Sequence, residues 1–181
     1  GASGQLGRKV LDQLLDVRGV DPTRIITTTR SSASLAAYAA RGVEVRQASF
    51  DDTPEAIVAA FQGAQRMLLI STNAFDMEGT RLRHQVAAVR AAEKAGIEHL
   101  VYTSAPSPEP GTPCFWEADH YATEQAIKAS SMGWTILRNS EYIEWHMENN
   151  WGRALATGQF PFASGDGRCP YISRDDCARA A

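Results

Sequence analysis

The sequence predicts an α/β fold built on a doubly wound parallel sheet. A glycine-rich turn opens the chain, with Gly1, Gly4 and Gly7 at regular spacing. An amphipathic helix pattern follows it directly, with Leu6 and Val10 on the apolar stripe. Strand and helix patterns then alternate to the end of the chain, which is typical of parallel strands joined by helical crossovers.

Each further element has a local signal in the sequence. β-branched or continuous apolar runs predict strands, an Ala-rich stretch predicts a helix, and Thr53 before Pro54 is the pattern of a helix N-cap. Gly42, Gly63 and Gly96 are placed to end helices. The predicted strands are 24–29, 43–47, 67–70, 100–103 and 134–137, and the later helices are 31–41, 54–61, 76–95 and 117–131.

Length and composition favour one domain covering residues 1–181. The chain is 44% hydrophobic and 22% charged, and its net charge of −3 provides no basic field for nucleic acid or an anionic membrane. No apolar run approaches the roughly 20 residues of a membrane span. Cys114, Cys169 and Cys177 lack paired spacing, so we expect no disulfide framework, no metal site and a reducing, cytoplasmic location.

The ends of the chain give a further expectation. A glycine turn of this kind normally follows a strand, and here the turn begins at residue 1. The last residues, 175–181, have a helical pattern up to the final position. The sequence is therefore interpreted as part of a longer protein, without the first strand and the C-terminal part, and such a piece is expected to fold poorly alone.

The glycine turn predicts a site for the phosphates of a dinucleotide. Glycine permits close approach of a pyrophosphate to the backbone, and the helix N-terminus behind the turn supplies free N–H groups. The alternative is a glycine-rich turn without a ligand.

Arg30 indicates which dinucleotide is bound. It follows the strand at 24–29, where a site for NAD usually has Asp or Glu to hold the ribose 2′-hydroxyl. Arginine followed by two serines suits a 2′-phosphate, and therefore NADP(H). An ordinary surface arginine is the alternative.

Other candidate residues follow from the rule that ligands of such sheets bind outside the carboxyl ends of the strands. Asp52 is interpreted as a helix cap, and the Pro- and Ser-rich loop 105–115 as a candidate lid. The predicted cofactor-binding residues are Gly1, Ser3, Gly4, Gln5, Leu6, Gly7, Arg30, Asp51, Ser71, Thr72, Asn73, Thr103, Asn139, Ser140, Glu141 and Tyr142.

At this point the chain resembles a known family. The segments GASGQLG, Leu68-Leu69-Ile70-Ser71, Tyr102-Thr103-Ser104, His120-Tyr121-Ala122-Thr123-Glu124 and Thr135-Ile136-Leu137-Arg138-Asn139 are similar to the NmrA-like atypical short-chain dehydrogenases. Within them, the likeness is greatest to the NADPH-dependent quinone oxidoreductase and triphenylmethane reductase group. The resemblance implies a Rossmann-type domain, NADPH as cofactor, a quinone-like or extended aromatic acceptor and no metal.

The chain departs from the Tyr-x-x-x-Lys pattern of short-chain dehydrogenases. Tyr121 is followed four residues later by Gln125, and aligning His120 with the lysine places Trp116 at the tyrosine. Ser104 fits the upstream serine. The candidate catalytic residues are therefore His120, Ser104 and Tyr121. Because a quinone stabilises incoming electrons itself, no single proton donor is expected to be indispensable.

The alternatives for these residues remain open. His120 with Glu124 would otherwise be a surface pair on one helix face, and Tyr121 would be a packing residue. Tyr142, Trp145, His146 and Trp151 would line an acceptor pocket or belong to the core. The predicted function is an NADPH-dependent reductase, with a possible homodimer. The alternative is a non-enzymatic NADP(H)-binding redox sensor or regulator of the NmrA type.

Overall fold

A computed structural model describes residues 1–74, 77–110, 115–160 and 165–181. Helices and parallel strands alternate through these ranges, as the sequence predicted. The strands are β1 (Ile26–Thr29), β2 (Glu44–Gln47), β3 (Arg66–Leu69), β4 (His99–Ser104) and β5 (Gly133–Arg138). The α-helices are α1 (Gln5–Asp12), α2 (Ala36–Ala39), α3 (Pro54–Phe61), α4 (Thr80–Lys94), α5 (Phe115–Lys128), α6 (Ile143–His146), α7 (Gly152–Thr157) and α8 (Arg174–Ala180).

Several short helical turns complete or extend these elements. A π-helical turn, Gln13–Val17, continues α1, and another, Met147–Trp151, joins α6 to α7. 3₁₀ turns at Pro22–Arg24 and Ser32–Leu35 flank β1, so the predicted strand at 24–29 is shorter and the predicted helix at 31–41 is partly 3₁₀.

All strand pairs are parallel, but they form two sheets. β1 pairs with β2, and β4 lies between β3 and β5. β1 and β3 face a common cavity of about 700 Å³, the inter-sheet slot, which is lined by apolar side chains that include Leu11, Leu14 and Met67. One further strand would join the two sheets into one. The expectation that such a strand precedes Gly1 stays a prediction.

Three apolar clusters support the sheets. The largest one packs α3 and α4 against β3 and β4, with Leu100, Ala92 and Ile127 fully buried. The second surrounds Leu35 beside β1, and the third packs α8 against α1 around Leu6. Of the helices in the described ranges, none is both long and apolar enough to cross a bilayer.

Helix ends follow the local signals where these were present. The Thr53 hydroxyl accepts a hydrogen bond from the amide of Ala56 at 3.3 Å, so the predicted cap is confirmed. Gly42, Gly63 and Gly96 have positive φ values of 100°, 86° and 82°, as helix-ending glycines do. The helix predicted from residue 76 begins instead at Thr80, after Gly79 in a left-handed conformation with φ of 75°; residue 76 itself lies outside the described ranges.

Candidate functional site

A cleft of about 880 Å³ lies at the carboxyl ends of β1, β2 and β3. This is the edge of the sheet at which such folds bind their ligands. Of the predicted cofactor residues, the cleft is lined by Gly1, Ser3, Gly4, Gln5, Leu6, Gly7, Arg30, Asp51, Ser71, Thr72, Asn73 and Tyr142. The structure therefore brings together most of the set.

The glycine turn forms one wall of the cleft and is tightly built. The amide of Gly4 donates to the carbonyl of Gly1 at 3.0 Å. A Cβ at Gly7 would overlap the Gly1 carbonyl and would lie 2.7 Å from the Cα of Ala2. A Cβ at Gly4 would meet only the Gly1 carbonyl, at 3.3 Å. Gly7 is therefore needed by the turn itself, whereas a Cβ at Gly4 would be crowded by the Gly1 carbonyl oxygen alone.

Arg30 lies in the same cleft, directly after β1. Its side chain is exposed, and within the described residues it makes no hydrogen bond or ion pair. The neighbouring Thr29 hydroxyl donates to the carbonyl of Ser31 at 3.2 Å and lies 3.3 Å from the Ser3 hydroxyl, which fixes the strand end beside the glycine turn. A free guanidinium is thus available near the turn.

The cleft also contains a polar cluster in which Asp51 was predicted and its partners were missed. His84 and Arg83 of α4 contact the Asp51 carboxylate, with Nε2 at 2.8 Å and Nη2 at 3.0 Å. Hydrogen bonds lower the pKa of Asp51, with the larger effect from His84 and a smaller one from Arg83. No motif marked His84 in the sequence, because α4 contacts the loop after β2 only in the folded chain. The interpretation of Asp52 as a helix cap is wrong: its carboxylate accepts from the amide of Ser49 at 2.7 Å in the preceding turn, and Thr53 is the N-cap of α3.

The segment that follows β3 is fixed by two hydrogen bonds. The amide of Ser71 donates to the Thr103 hydroxyl at 2.9 Å. Arg81 Nε donates to the carbonyl of Thr72 at 2.8 Å. Thr103 is buried and does not line the cleft, so it supports Ser71.

His120 belongs to a buried network behind this segment. Arg81 Nη2 donates to His120 Nε2 at 2.8 Å, so Nδ1 carries the ring proton and donates to the Tyr102 hydroxyl at 2.7 Å. Tyr102 in turn donates to Gln85 Oε1 at 3.1 Å. Burial, with the nearby charge of Arg81, lowers the pKa of His120 to about 3, so the ring is neutral at physiological pH.

Glu124 is the centre of a second buried network. It accepts from the Ser104 hydroxyl at 2.7 Å, from Arg138 at 3.1 and 2.8 Å, and from Lys128 at 3.2 Å. Burial would raise the pKa of Glu124, but these hydrogen bonds lower it overall. The surface pair of His120 with Glu124 is therefore wrong: both side chains are buried, and each has other partners.

The remaining predicted residues lie next to the cleft or away from it. The Asn139 side-chain amide donates to the Tyr142 hydroxyl at 3.3 Å, and Glu141 pairs with His146 at 2.6 Å. Ser140 lies between them in the chain. Neither these three nor Thr103 is among the residues that line the cleft, and neither are the catalytic candidates His120, Ser104 and Tyr121. Their functional roles stay predictions.

The aromatic residues of the C-terminal half differ in burial, and the sequence did not show which of them are exposed. Trp145 and Trp151 are 50% and 44% exposed, so the interpretation of both as core is wrong. His146 is buried, with the Tyr171 ring 4.8 Å away. Tyr142 faces the cleft, where the guanidinium of Arg174 lies 5.1 Å above its ring. Residues 111–114 of the predicted lid, with Cys114, lie outside the described residues.

Parallel strands, crossover helices and a glycine turn beside a polar cleft define a Rossmann-type dinucleotide-binding domain. In the described ranges, no three His, Cys, Asp or Glu side chains gather as a metal site. The family model described as NAD(P)H-binding matches residues 1–181. The chain belongs to this NAD(P)H-binding family.

Comparison with known proteins agrees with this assignment. Quinone oxidoreductase 2 of Escherichia coli K12 is 34% identical over 181 residues, which are 100% of this chain and 60% of that protein. An NmrA-like family domain-containing oxidoreductase of Aspergillus flavus is 27% identical over 175 residues, 91% of this chain and 56% of that protein. The chain thus spans about 60% of the length of the first of these relatives.

Solved structures give the same result. The NADPH complex of the E. coli quinone oxidoreductase superposes with a TM-score of 0.89 at 34% identity, covering 99% of this chain and 61% of that one. The NADP(H) complex of Citrobacter sp. triphenylmethane reductase has a TM-score of 0.87 at 30% identity, with coverage of 99% and 61%. The predicted resemblance and fold class are confirmed.

Proposed function

We propose that the protein is an NADPH-dependent reductase that transfers hydride to a quinone-like or aromatic acceptor. The observation that carries the proposal is the unpaired Arg30 guanidinium in the cleft that contains the glycine turn. It is supported by similarity to proteins named for quinone oxidoreductase and triphenylmethane reductase activity. On this proposal the chain is one domain, its partner is a small molecule, and its location is the cytoplasm.

The residues of the cleft fit a dinucleotide phosphate. A volume of about 880 Å³ lies within the usual range for ligand pockets. Gly4 has no side chain to obstruct a close approach, and the α1 N-terminus behind it favours negative charge. Arg30 would hold the 2′-phosphate, and Asp51 with Ser71, Thr72 and Asn73 would border the rest of the molecule. Bound NADPH would supply the hydride.

The catalytic candidates have hydrogen-bond partners that favour positioning over proton donation. The neutral His120 ring uses Nδ1–H for Tyr102 and Nε2 for Arg81. The one O–H group of Ser104 is directed to Glu124. We therefore propose that neither is an indispensable acid, and that binding and orientation in the cleft account for most of the rate.

Cofactor preference tests the role of Arg30. We expect the full-length protein to bind NADPH more tightly than NADH, and Arg30→Ala to lose roughly tenfold to a hundredfold in NADPH affinity, the value of a charge-assisted contact. Arg18→Ala is a matched control, because Arg18 is exposed and does not line the cleft. Equal affinities for the two cofactors in the unmutated protein would contradict the assignment.

Activity tests the acceptor. NADPH oxidation is followed at steady state with a panel of quinones and cationic triphenylmethane dyes. We expect turnover with at least one quinone, either alone or together with at least one triphenylmethane dye. Tight NADPH binding without turnover for any acceptor would instead support the sensor function.

A further inference from the structure

Arg174 is a buried cation with few partners, and it faces the cofactor cleft. Its side chain is 10% exposed, and it lines the cleft beside Tyr142. Across the described residues, its guanidinium makes no hydrogen bond, and its one ion pair is with Glu148 Oε1 at 3.6 Å. A guanidinium has five N–H donors, and buried charges are normally paired and hydrogen-bonded. The cleft side of Arg174 therefore has unused capacity for an anion.

Glu148 lies between Arg174 and the glycine turn. The same oxygen, Oε1, is 3.5 Å from Gln5 Nε2, and Gln5 is the first residue of α1. Both contacts are long, and the Glu148 side chain is 51% exposed. The carboxylate is thus held weakly at a point where two donors from different elements converge.

The two helices that carry these donors are packed against each other, whereas Glu148 belongs to another segment. Cys177 and Ala178 of α8 pack against Leu6 and Val10 of α1. Lys9 and Asp175 add an ion pair at 2.7 Å between the same two helices. Glu148 lies instead in the π-helical turn Met147–Trp151. A ligand can therefore replace the carboxylate without disturbing the position of Arg174 relative to the turn.

We infer that Glu148 occupies the place of a phosphate, and that Arg174 and Gln5 bind the pyrophosphate of the dinucleotide once Glu148 is displaced. This inference rests on the proposed function. Arg174 would then hold the pyrophosphate while Arg30 holds the 2′-phosphate. Cofactor binding and the position of the Met147–Trp151 turn are coupled, because both use the same donors.

The test compares two ligands in the full-length protein. NADPH contains a pyrophosphate, whereas adenosine 2′-monophosphate has only the phosphate expected at Arg30. We expect Arg174→Gln to weaken NADPH binding by about tenfold to a hundredfold and to leave adenosine 2′-monophosphate unchanged. Arg179→Gln, on the same helix and exposed, is the control and is expected to change neither. Equal weakening of both ligands by Arg174→Gln would show a general structural role and overturn the inference.

Glu148→Gln gives an independent test of displacement. Removal of the competing carboxylate is expected to tighten NADPH binding by up to about fivefold, the range of an exposed ion pair. In the Arg174→Gln background this gain is expected to disappear. Unchanged or weaker NADPH binding by Glu148→Gln contradicts the inference. If Arg174→Gln does not fold, Arg174→Lys serves with Glu148→Gln in the same comparison.

The outcome is separable from that of the proposed function. Wild-type protein that reduces quinones, with NADPH affinity unaffected by either substitution, leaves the reductase proposal intact and rejects this inference. The expected affinity changes in a protein that reduces no acceptor support the inference and reject the reductase.

Discussion

Gly4 and Gly7 are equivalent in the sequence motif and different in the folded turn. A Cβ at Gly7 would overlap the Gly1 carbonyl, whereas a Cβ at Gly4 would meet it at 3.3 Å. The motif predicted the glycine turn, and the folded chain shows that this turn tolerates a Cβ less at Gly7 than at Gly4.

This difference gives a prediction for two substitutions. Gly4→Val is expected to abolish NADPH binding with normal circular dichroism, because on the proposed function the pyrophosphate must approach the backbone at Gly4. Gly7→Ala is expected to lower the melting temperature by several degrees, since the turn must open to accept the methyl group. Calorimetric titration and thermal unfolding measure both effects. Normal NADPH affinity in Gly4→Val would show that the turn is structural only.

His120 gives a prediction about pH. Its folded pKa of about 3 lies below the unfolded value near 6.5, so the unfolded chain takes up a proton first as pH falls. The stability contributed by the neutral ring is present above pH 6.5 and decreases below it, by roughly 1.4 kcal/mol per pH unit. Between pH 7 and 5, the difference in unfolding free energy between wild type and His120→Gln should therefore narrow by roughly 2 kcal/mol. Urea unfolding at each pH measures it, and a constant difference would mean that the ring titrates normally.

At the scale of elements, β4, α5 and β5 are joined by one carboxylate. Glu124 of α5 accepts hydrogen bonds from Ser104 at the end of β4 and from Arg138 at the end of β5. Sequence reasoning paired Glu124 with His120 because the two are four residues apart on one helix. Helical spacing shows which side chains share a face, and it does not show that the face is buried against two strand ends.

Glu124→Gln is expected to lower the unfolding free energy by about 2–3 kcal/mol. This loss is somewhat smaller than the loss on breaking a fully buried ion pair, because the partner Arg138 is half-exposed. Since the folded pKa of Glu124 is lowered, this contribution is present above pH 4.5 and is lost as pH falls below that value. Glu98→Gln is the control, as Glu98 is exposed. Denaturant unfolding at pH 7 compares the two, and equal losses would contradict a special role for Glu124.

Helix and strand order was predicted well, because apolar periodicity and turn residues are local signals. Boundaries were less accurate where tertiary contacts decide them. Helix α4 begins at Thr80 because Gly79 takes a left-handed conformation, and nothing in the sequence distinguishes Gly79 from other glycines. His84 and Arg174 were missed for a related reason. Each reaches the cleft from a helix that is distant in sequence from the glycine turn.

For the whole molecule, the inter-sheet slot is the main departure from a continuous sheet. Within the described ranges, β1 and β3 each pair on one side only, and apolar side chains line the space between them. Their slot-facing backbone groups are strand edges, which proteins usually cover or protect with charge. The family assignment does not require a continuous sheet, because the motifs that it depends on lie on the two sides of the slot and are intact.

The 181-residue chain produced alone is therefore expected to self-associate. Sedimentation velocity over a range of concentrations should show oligomers that increase with concentration. Met67→Lys, which places a charge in the slot, should reduce them, whereas Arg90→Lys on the exposed surface should not. A monomer at all concentrations would contradict this expectation.

The slot also presents two strand edges to an added segment. The two parallel strand edges, with apolar side chains between them, offer hydrogen bonds on both sides to a single extended segment. A peptide of suitable β-branched sequence would therefore be bound along its whole length rather than at one end. A strand supplied in trans would then join the two sheets, and protection of the β1 and β3 amides from hydrogen exchange would report it.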